Sequence, residues 1–306
     1  MRWTLAILIL IGSVTYAEPH LLLNFDINKT LIAQDKATNK SVEDTLNQLL
    51  AEKTKACWDD TLLEPISYQR YVGILLPGRE DDLPLKKRRL EYLNHFVDHL
   101  KDQNHLLYQE VASTYHTALN ILQESGGKVF PSFYRLINEL DKKDISYSII
   151  LRSYGVEVFE VAEEIKLFQN KVFSRFGTFR EGKLSTMESE KMHEEPYAVY
   201  EVLRSSGHLA IQDDWKHWVK GKMEGKYGKP FYIDQEDPDT ISFFFDDNIY
   251  LDDRKENIVA PINAKTGEVI PISSLITSSQ IVSVDTLEAI LDENYFLDLI
   301  EKALKE

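Results

Sequence analysis

The 306-residue chain contains one cysteine, Cys57, so no intrachain disulfide can form and no cysteine cluster is available for zinc. Positive charge is also scarce: 35 Lys and Arg stand against 50 Asp and Glu, a formal net charge of −15. That balance argues against general nucleic-acid binding, which needs cations to neutralise phosphates, and no nucleic-acid partner is expected. An anionic small substrate remains compatible, because one metal ion or lysine can invert the field of a single pocket. The Gly/Lys-rich stretch 221–230 lacks the G-x-x-x-x-G-K-S/T order of a phosphate-binding P-loop. Beyond residue 17 no apolar run is long enough to cross a bilayer, so no stable span is expected in a mature chain.

The first 17 residues read as a secretory signal peptide. Arg2 supplies the positive start, residues 5–11 the apolar core, and Thr15-Tyr16-Ala17 the small-residue cleavage pattern, predicting a secreted or exported protein. Two Asn-x-Ser/Thr acceptors occur, at Asn28 and Asn39. A glycan on Asn28 would conflict with the strand end described below, so Asn39 is the favoured acceptor in a eukaryotic secretory route.

Hydrophobic residues make up 43% of the chain and aromatic residues 11%, which fits a well-packed globular protein. Its length suits one large domain, or a core carrying a smaller one. Residues 21–31 open with a buried-strand pattern that ends at Asp26. A helix is expected over 42–58, with Cys57 packed inside, and residues 71–76 read as a short strand or exposed lid. Apolar stripes predict one long helix or two over 85–124, meeting near residues 102–104. A helix at 131–140 precedes a strand at 145–151 that runs into Arg152-Ser153, and a helix follows over 156–168. This strand–turn–helix unit repeats the arrangement around Asp26 and favours α/β layering. Weaker strand signals follow at 209–211, 231–233, 240–245, 258–261 and 281–284, and a final helix spans 285–305.

Three strand ends present polar groups: Asp26 with Asn28 and Thr30, then Ser153, then Asp246 with Asp247. Ligands of open α/β sheets gather at such carboxyl ends. Together these segments resemble the haloacid-dehalogenase-like superfamily. Its first motif, Asp-x-Asp-x-Thr/Val, is matched by Asp26-Ile27-Asn28-Lys29-Thr30. Its strand-ending Ser or Thr is matched by Ser153, and its acidic pair by Asp246-Asp247.

The resemblance implies a three-layer, mainly parallel Rossmann-like sheet with a helical cap insertion. Residues 18–40 and 127–306 would form the core, and 41–126 the cap. It implies a Mg²⁺-dependent phosphoester hydrolase, a phosphatase working through an aspartyl-phosphate intermediate. Asp26 would be nucleophile and metal ligand, Asn28 would bind Mg²⁺ through its backbone carbonyl, and Asp246 or Asp247 would complete the ligands. Ser153 would donate to the transferring phosphoryl group, with Thr30, Arg152 and Lys229 also on the substrate. A lysine would hold Asp26 ionised. Lys216, which follows an acidic aromatic segment, is the first choice, and Lys229, entering the strand before Asp246, the second. The substrate would be a phosphorylated small molecule or a phosphoprotein.

Asn28 departs from the pattern of hydrolytic members, which carry a second Asp there as acid and base. An amide can orient water but cannot titrate, and general acid–base chemistry is worth roughly 10²–10⁴-fold. The alternative is therefore a catalytically impaired protein that binds a ligand or partner without turnover.

Overall fold

The computed structural model describes residues 19–34, 40–79, 81–173, 175–187, 189–252, 255–276 and 278–305. The expected signal segment at 1–17 and the acceptor Asn39 lie outside them. Strand β1 (His20–Asp26) is buried from Leu21 onward, as expected of a central parallel strand. Five helices follow: Val42–Lys53, Tyr68–Leu75, Leu83–Asn94, Phe96–Asp102 and Tyr108–Glu124. The short antiparallel pair β2 (Lys55–Ala56) and β3 (Ile66–Ser67) lies among them. The remaining strands are β4 (Tyr147–Ser153), β5 (Arg175–Arg180), β6 (Lys183–Thr186), β7 (Ser189–His193), β8 (Leu209–Gln212), β9 (Lys229–Ile233), β10 (Thr240–Asp246), β11 (Val259–Asn263) and β12 (Ile281–Ser283).

Eight strands form one sheet in the order β12-β10-β1-β4-β8-β5-β6-β7. Pairing is parallel from β12 to β5 and antiparallel along β5-β6-β7. The protein is thus α/β with a largely parallel central sheet. Alternation along the strands divides the core between two faces. On one face Phe25 stacks on Phe245 at 4.5 Å between ring centroids, and Phe133 and Phe296 meet it edge-on. That apolar cluster runs without interruption into the helices of 42–124 through Leu46, Leu50, Val72, Phe96 and Val111. The opposite face carries helix Pro196–Ser205 and the separate parallel pair β9-β11. Among the described residues no helix is long and apolar enough to cross a membrane.

Several local expectations need correction. The stretch 85–124 forms parts of three helices, because the backbone leaves helical geometry at His95 and turns again at Asn104, which has φ +48°. Residues 71–75 belong to a helix whose N-terminus Ser67 caps, not to a strand or lid. The C-terminal helix is two, Thr286–Leu291 and Tyr295–Ala303, separated by an extended Asp292. Cys57 is exposed because the preceding helix stops at Lys53. Trp58 turns inward instead: its indole donates to the Ile66 carbonyl at 2.7 Å and its ring packs against Tyr68 and Phe96.

At the end of the sheet opposite Asp26, His208 Nδ1 accepts the Ile149 backbone N–H at 3.1 Å. Burial, helped by the Lys171 charge, lowers its pKa from 6.5 to about 4. Between those values the unfolded chain binds the extra proton, so stability falls as pH drops from about 6.5 to 4. Glutamine can accept the same N–H without titrating. His208→Gln is therefore expected to flatten this acid limb, by at most about 1.4 kcal/mol per pH unit, in denaturant melts at stepped pH.

Candidate functional site

Parallel register assembles the acidic groups. Phe25 pairs with Phe245, so Asp26 and Asp246 emerge side by side at the carboxyl ends of β1 and β10, with Asp247 next along. One carboxylate oxygen from each of Asp26, Asp246 and Asp247 lies within 4.8 Å of the others. Lys229, at the start of β9 and almost fully buried, donates to Asp26 Oδ1 and to Asp246 Oδ2, the latter at 2.7 Å. The second-choice lysine of the sequence thus meets the acids. Lys216 does not: it is exposed on the short helix Trp215–Lys220 and lines a different cavity. The β9-β11 pair brings Lys229 over the strand ends, a long-range pairing that local sequence does not encode.

Three acids face one buried lysine and, at the rim, Lys29, so the cluster stays short of positive charge. Burial, together with Asp246 and Asp247, holds the Asp26 carboxyl well above the usual carboxylate range despite the opposing pull of Lys229. Burial and the Asp246 charge push Asp247 from 3.8 to about 7. Thr30 anchors this loop: its Oγ1 accepts the Asp247 N–H at 3.2 Å. That contact makes Thr30 a brace of the acidic loop. Lys29, in the left-handed region with φ +59°, reaches Asp247 Oδ2 at 3.6 Å.

Ser153 and Asn28 converge on a residue that the sequence reading missed. Glu157 Oε1 accepts from Asn28 Nδ2 at 2.7 Å and from the Ser153 hydroxyl at 2.5 Å. The Ser153 Oγ accepts in turn the Gly155 N–H. Gly155 is needed there, since a Cβ would stand 1.9 Å from Glu157 Oε2. Ser153 therefore gives its hydroxyl to an internal carboxylate, and any other acceptor for that hydroxyl would have to displace Glu157. The only signal for Glu157 in the sequence is an acid in the first turn of the helix after Ser153, which normally reads as a response to the helix dipole. The other side-chain atom of Asn28, Oδ1, is buried with no hydrogen-bond partner among the described residues.

Arg152 was expected on the substrate, but strand alternation turns it to the opposite face from Ser153. It is fully buried and grips Asp213 with two bonds, of 2.5 and 3.1 Å. It also donates to the carbonyl of Pro230 at 3.0 Å and lies over the rings of Phe179 and Phe244. Since Pro230 follows Lys229, Arg152 fastens β9 to the sheet.

Asp26, Asn28, Ser153, Glu157, Lys229 and Asp247 line one cavity of about 640 Å³. Two lysines, Lys29 and Lys229, also line it, and its metal-ligating atoms are carboxylate, amide and hydroxyl oxygens, a set that suits a hard divalent cation such as Mg²⁺ and not a thiophilic metal. The crowded carboxylates and the unpartnered Asn28 Oδ1 fit the same need for added positive charge. No family model, curated protein or solved structure matches the chain.

The acids act against the fold. Asp247 holds its proton more tightly when folded, so without metal stability declines as pH rises from about 4 to 7. Asp247→Asn is expected to raise the melting temperature in chelator at pH 8, with the gain shrinking toward pH 4. Each kcal/mol of relieved repulsion is worth about 2–4 °C in a chain of this class. Scanning calorimetry across pH checks both sign and window.

Proposed function

We propose that the chain is a divalent-metal-dependent phosphoester hydrolase of the haloacid-dehalogenase-like kind, with Asp26 as nucleophile. The observation that carries this reading is the meeting of Asp26, Asp246 and Asp247 with buried Lys229 at the edge of a parallel sheet. Asp26, Asp246 or Asp247, and the Asn28 carbonyl would hold Mg²⁺, which neutralises phosphoryl charge and polarises its oxygens. The helices of 41–126 would be the cap of this reading.

In the first step Asp26 attacks phosphorus, the bond to the leaving oxygen breaks, and that oxygen takes a proton. Lys229 favours the ionised form of Asp26 and offsets charge on the phosphoryl oxygens. In the second step water attacks the aspartyl phosphate, frees inorganic phosphate and restores Asp26. Asn28 cannot move the protons. Glu157, the carboxylate bonded to its amide, is the group we assign to them: it gives one to the leaving oxygen and takes one from the attacking water. A second reading, ligand binding without turnover, is favoured by the untitratable Asn28 alone.

Asp26→Asn is expected to abolish Mg²⁺-dependent release of phosphate from p-nitrophenyl phosphate and to remove the acid-stable, hydroxylamine-labile phosphoenzyme formed by wild type. Folded wild type that forms no phosphoenzyme and releases no phosphate from a phosphoester panel would overturn the hydrolase in favour of binding. Glu157→Gln keeps the shape of the side chain. It is expected to lower steady turnover by roughly 10²–10⁴-fold while the phosphoenzyme still forms with this good leaving group, as seen by rapid-quench trapping.

A further inference from the structure

A second cavity, of about 760 Å³, adjoins the first, and Tyr154 and Trp215 line both. Its walls differ in charge from the rest of this acidic chain. Arg180, Lys216 and Lys220 line it, and none of the three forms an ion pair among the described residues. The acids beside them are mostly engaged. Asp213 is taken by Arg152, and Asp214 accepts the backbone N–H groups of Glu181 and His217. Glu181 and Asp214 are the lining carboxylates without an ion pair among the described residues, so three unpaired cations face two unpaired carboxylates.

The wall between the cavities is aromatic. The Tyr154 ring stacks on Trp218 with 5.7 Å between centroids and 12° between planes, and meets Trp215 edge-on at 5.3 Å. Trp215 is held by this packing yet 48% exposed, an uncommon state for so large an apolar ring. An exposed, fixed indole is a stacking surface for a planar ring. Tyr154 brings a second feature: its hydroxyl is buried and has no hydrogen-bond partner among the described residues.

We propose that the second cavity binds the part of the substrate remote from the scissile phosphoester, and that this part is an aromatic ring bearing a second phosphate. The ring lies against Trp215, and the second phosphate lies among Arg180, Lys216 and Lys220. This rests on the phosphoester reading of the neighbouring cavity, and it narrows the substrate class to bisphosphorylated aromatic molecules. The first phosphate faces Lys229 and the acidic cluster, where a divalent cation is needed. The second faces side-chain cations alone.

The test uses the full chain and two commercial probes, adenosine 3′,5′-bisphosphate and adenosine 5′-monophosphate, with binding read from tryptophan fluorescence in Mg²⁺ buffer. Wild type is expected to favour the bisphosphate at least tenfold. The double variant Lys216→Ala/Lys220→Ala is expected to bring that ratio close to one. Lys101→Ala, an exposed change on a distant helix, should leave the ratio alone and so report any general effect of net charge. Trp215→Ala is expected to remove the preference for the adenosine bisphosphate over fructose 1,6-bisphosphate. An unchanged ratio in the double variant, or an equal fall in Lys101→Ala, would overturn the proposal. Because binding is read without turnover, selective binding by a wild type that hydrolyses nothing would sink the hydrolase reading and sustain the second cavity. Hydrolysis lost in Asp26→Asn, with no bisphosphate preference in wild type, would do the reverse.

Discussion

A single buried ammonium group, Lys229, holds the strand ends together. Removing a lysine from water costs several kcal/mol unless its charge is compensated, and here Asp26 and Asp246 compensate it at hydrogen-bond distance. The register of β1 against β10 brings the two carboxylates together, and the β9-β11 pair delivers the cation from another layer. A second buried pair secures that delivery. Arg152 binds Asp213 at the end of β8 and reaches across to the Pro230 carbonyl, so strand β9 is tied where its first residue must point. The third acid, Asp247, has no such compensation beyond Lys29 at the rim. One buried ammonium thus meets two acids, and the third faces only Lys29 at the rim, which leaves the cluster with more negative than positive charge.

Much of this arrangement was legible from strand ends alone. Apolar runs closing on Asp26, Ser153 and Asp246 are strong signals because a buried parallel strand permits few polar residues, and those at its carboxyl end face solvent or ligand. The errors came where side-chain direction or distant pairing decides. Arg152 and Ser153 are neighbours in sequence and lie on opposite faces of a sheet, which a strand end of uncertain boundary cannot reveal. Lys216 and Lys229 were distinguishable only through β9 pairing with β11, thirty residues further along. Cys57 left its expected place in the core because a helix stopped five residues early. Glu157 was hidden by an ordinary explanation, an acid at a helix start.

Asn28 acquires a definite role beside Glu157. Its amide donates to that carboxylate, so the position that lacks a titratable group is joined to one that has it. In the proposed hydrolase the arrangement would separate two jobs that one aspartate could have done: Asn28 would orient, and Glu157 would move protons. Ser153 joins the same carboxylate, which makes the three residues a single hydrogen-bonded unit spanning the ends of β1 and β4.

The continuity of the apolar cluster between the sheet face and the helices of 42–124 has a mechanical meaning. A segment joined to its base by a shared core cannot swing away as a rigid shutter without wetting Phe96, Leu46 and their partners. Traffic to the acidic cluster would then pass along the rim, by the aromatic wall of Tyr154 and Trp215 on one side or by Lys29 and Lys53 on the other, while the helical mass stays still. Selection of a ligand would fall to this fixed doorway and its side chains, and the speed of exchange to local loop motions measured in nanoseconds to microseconds.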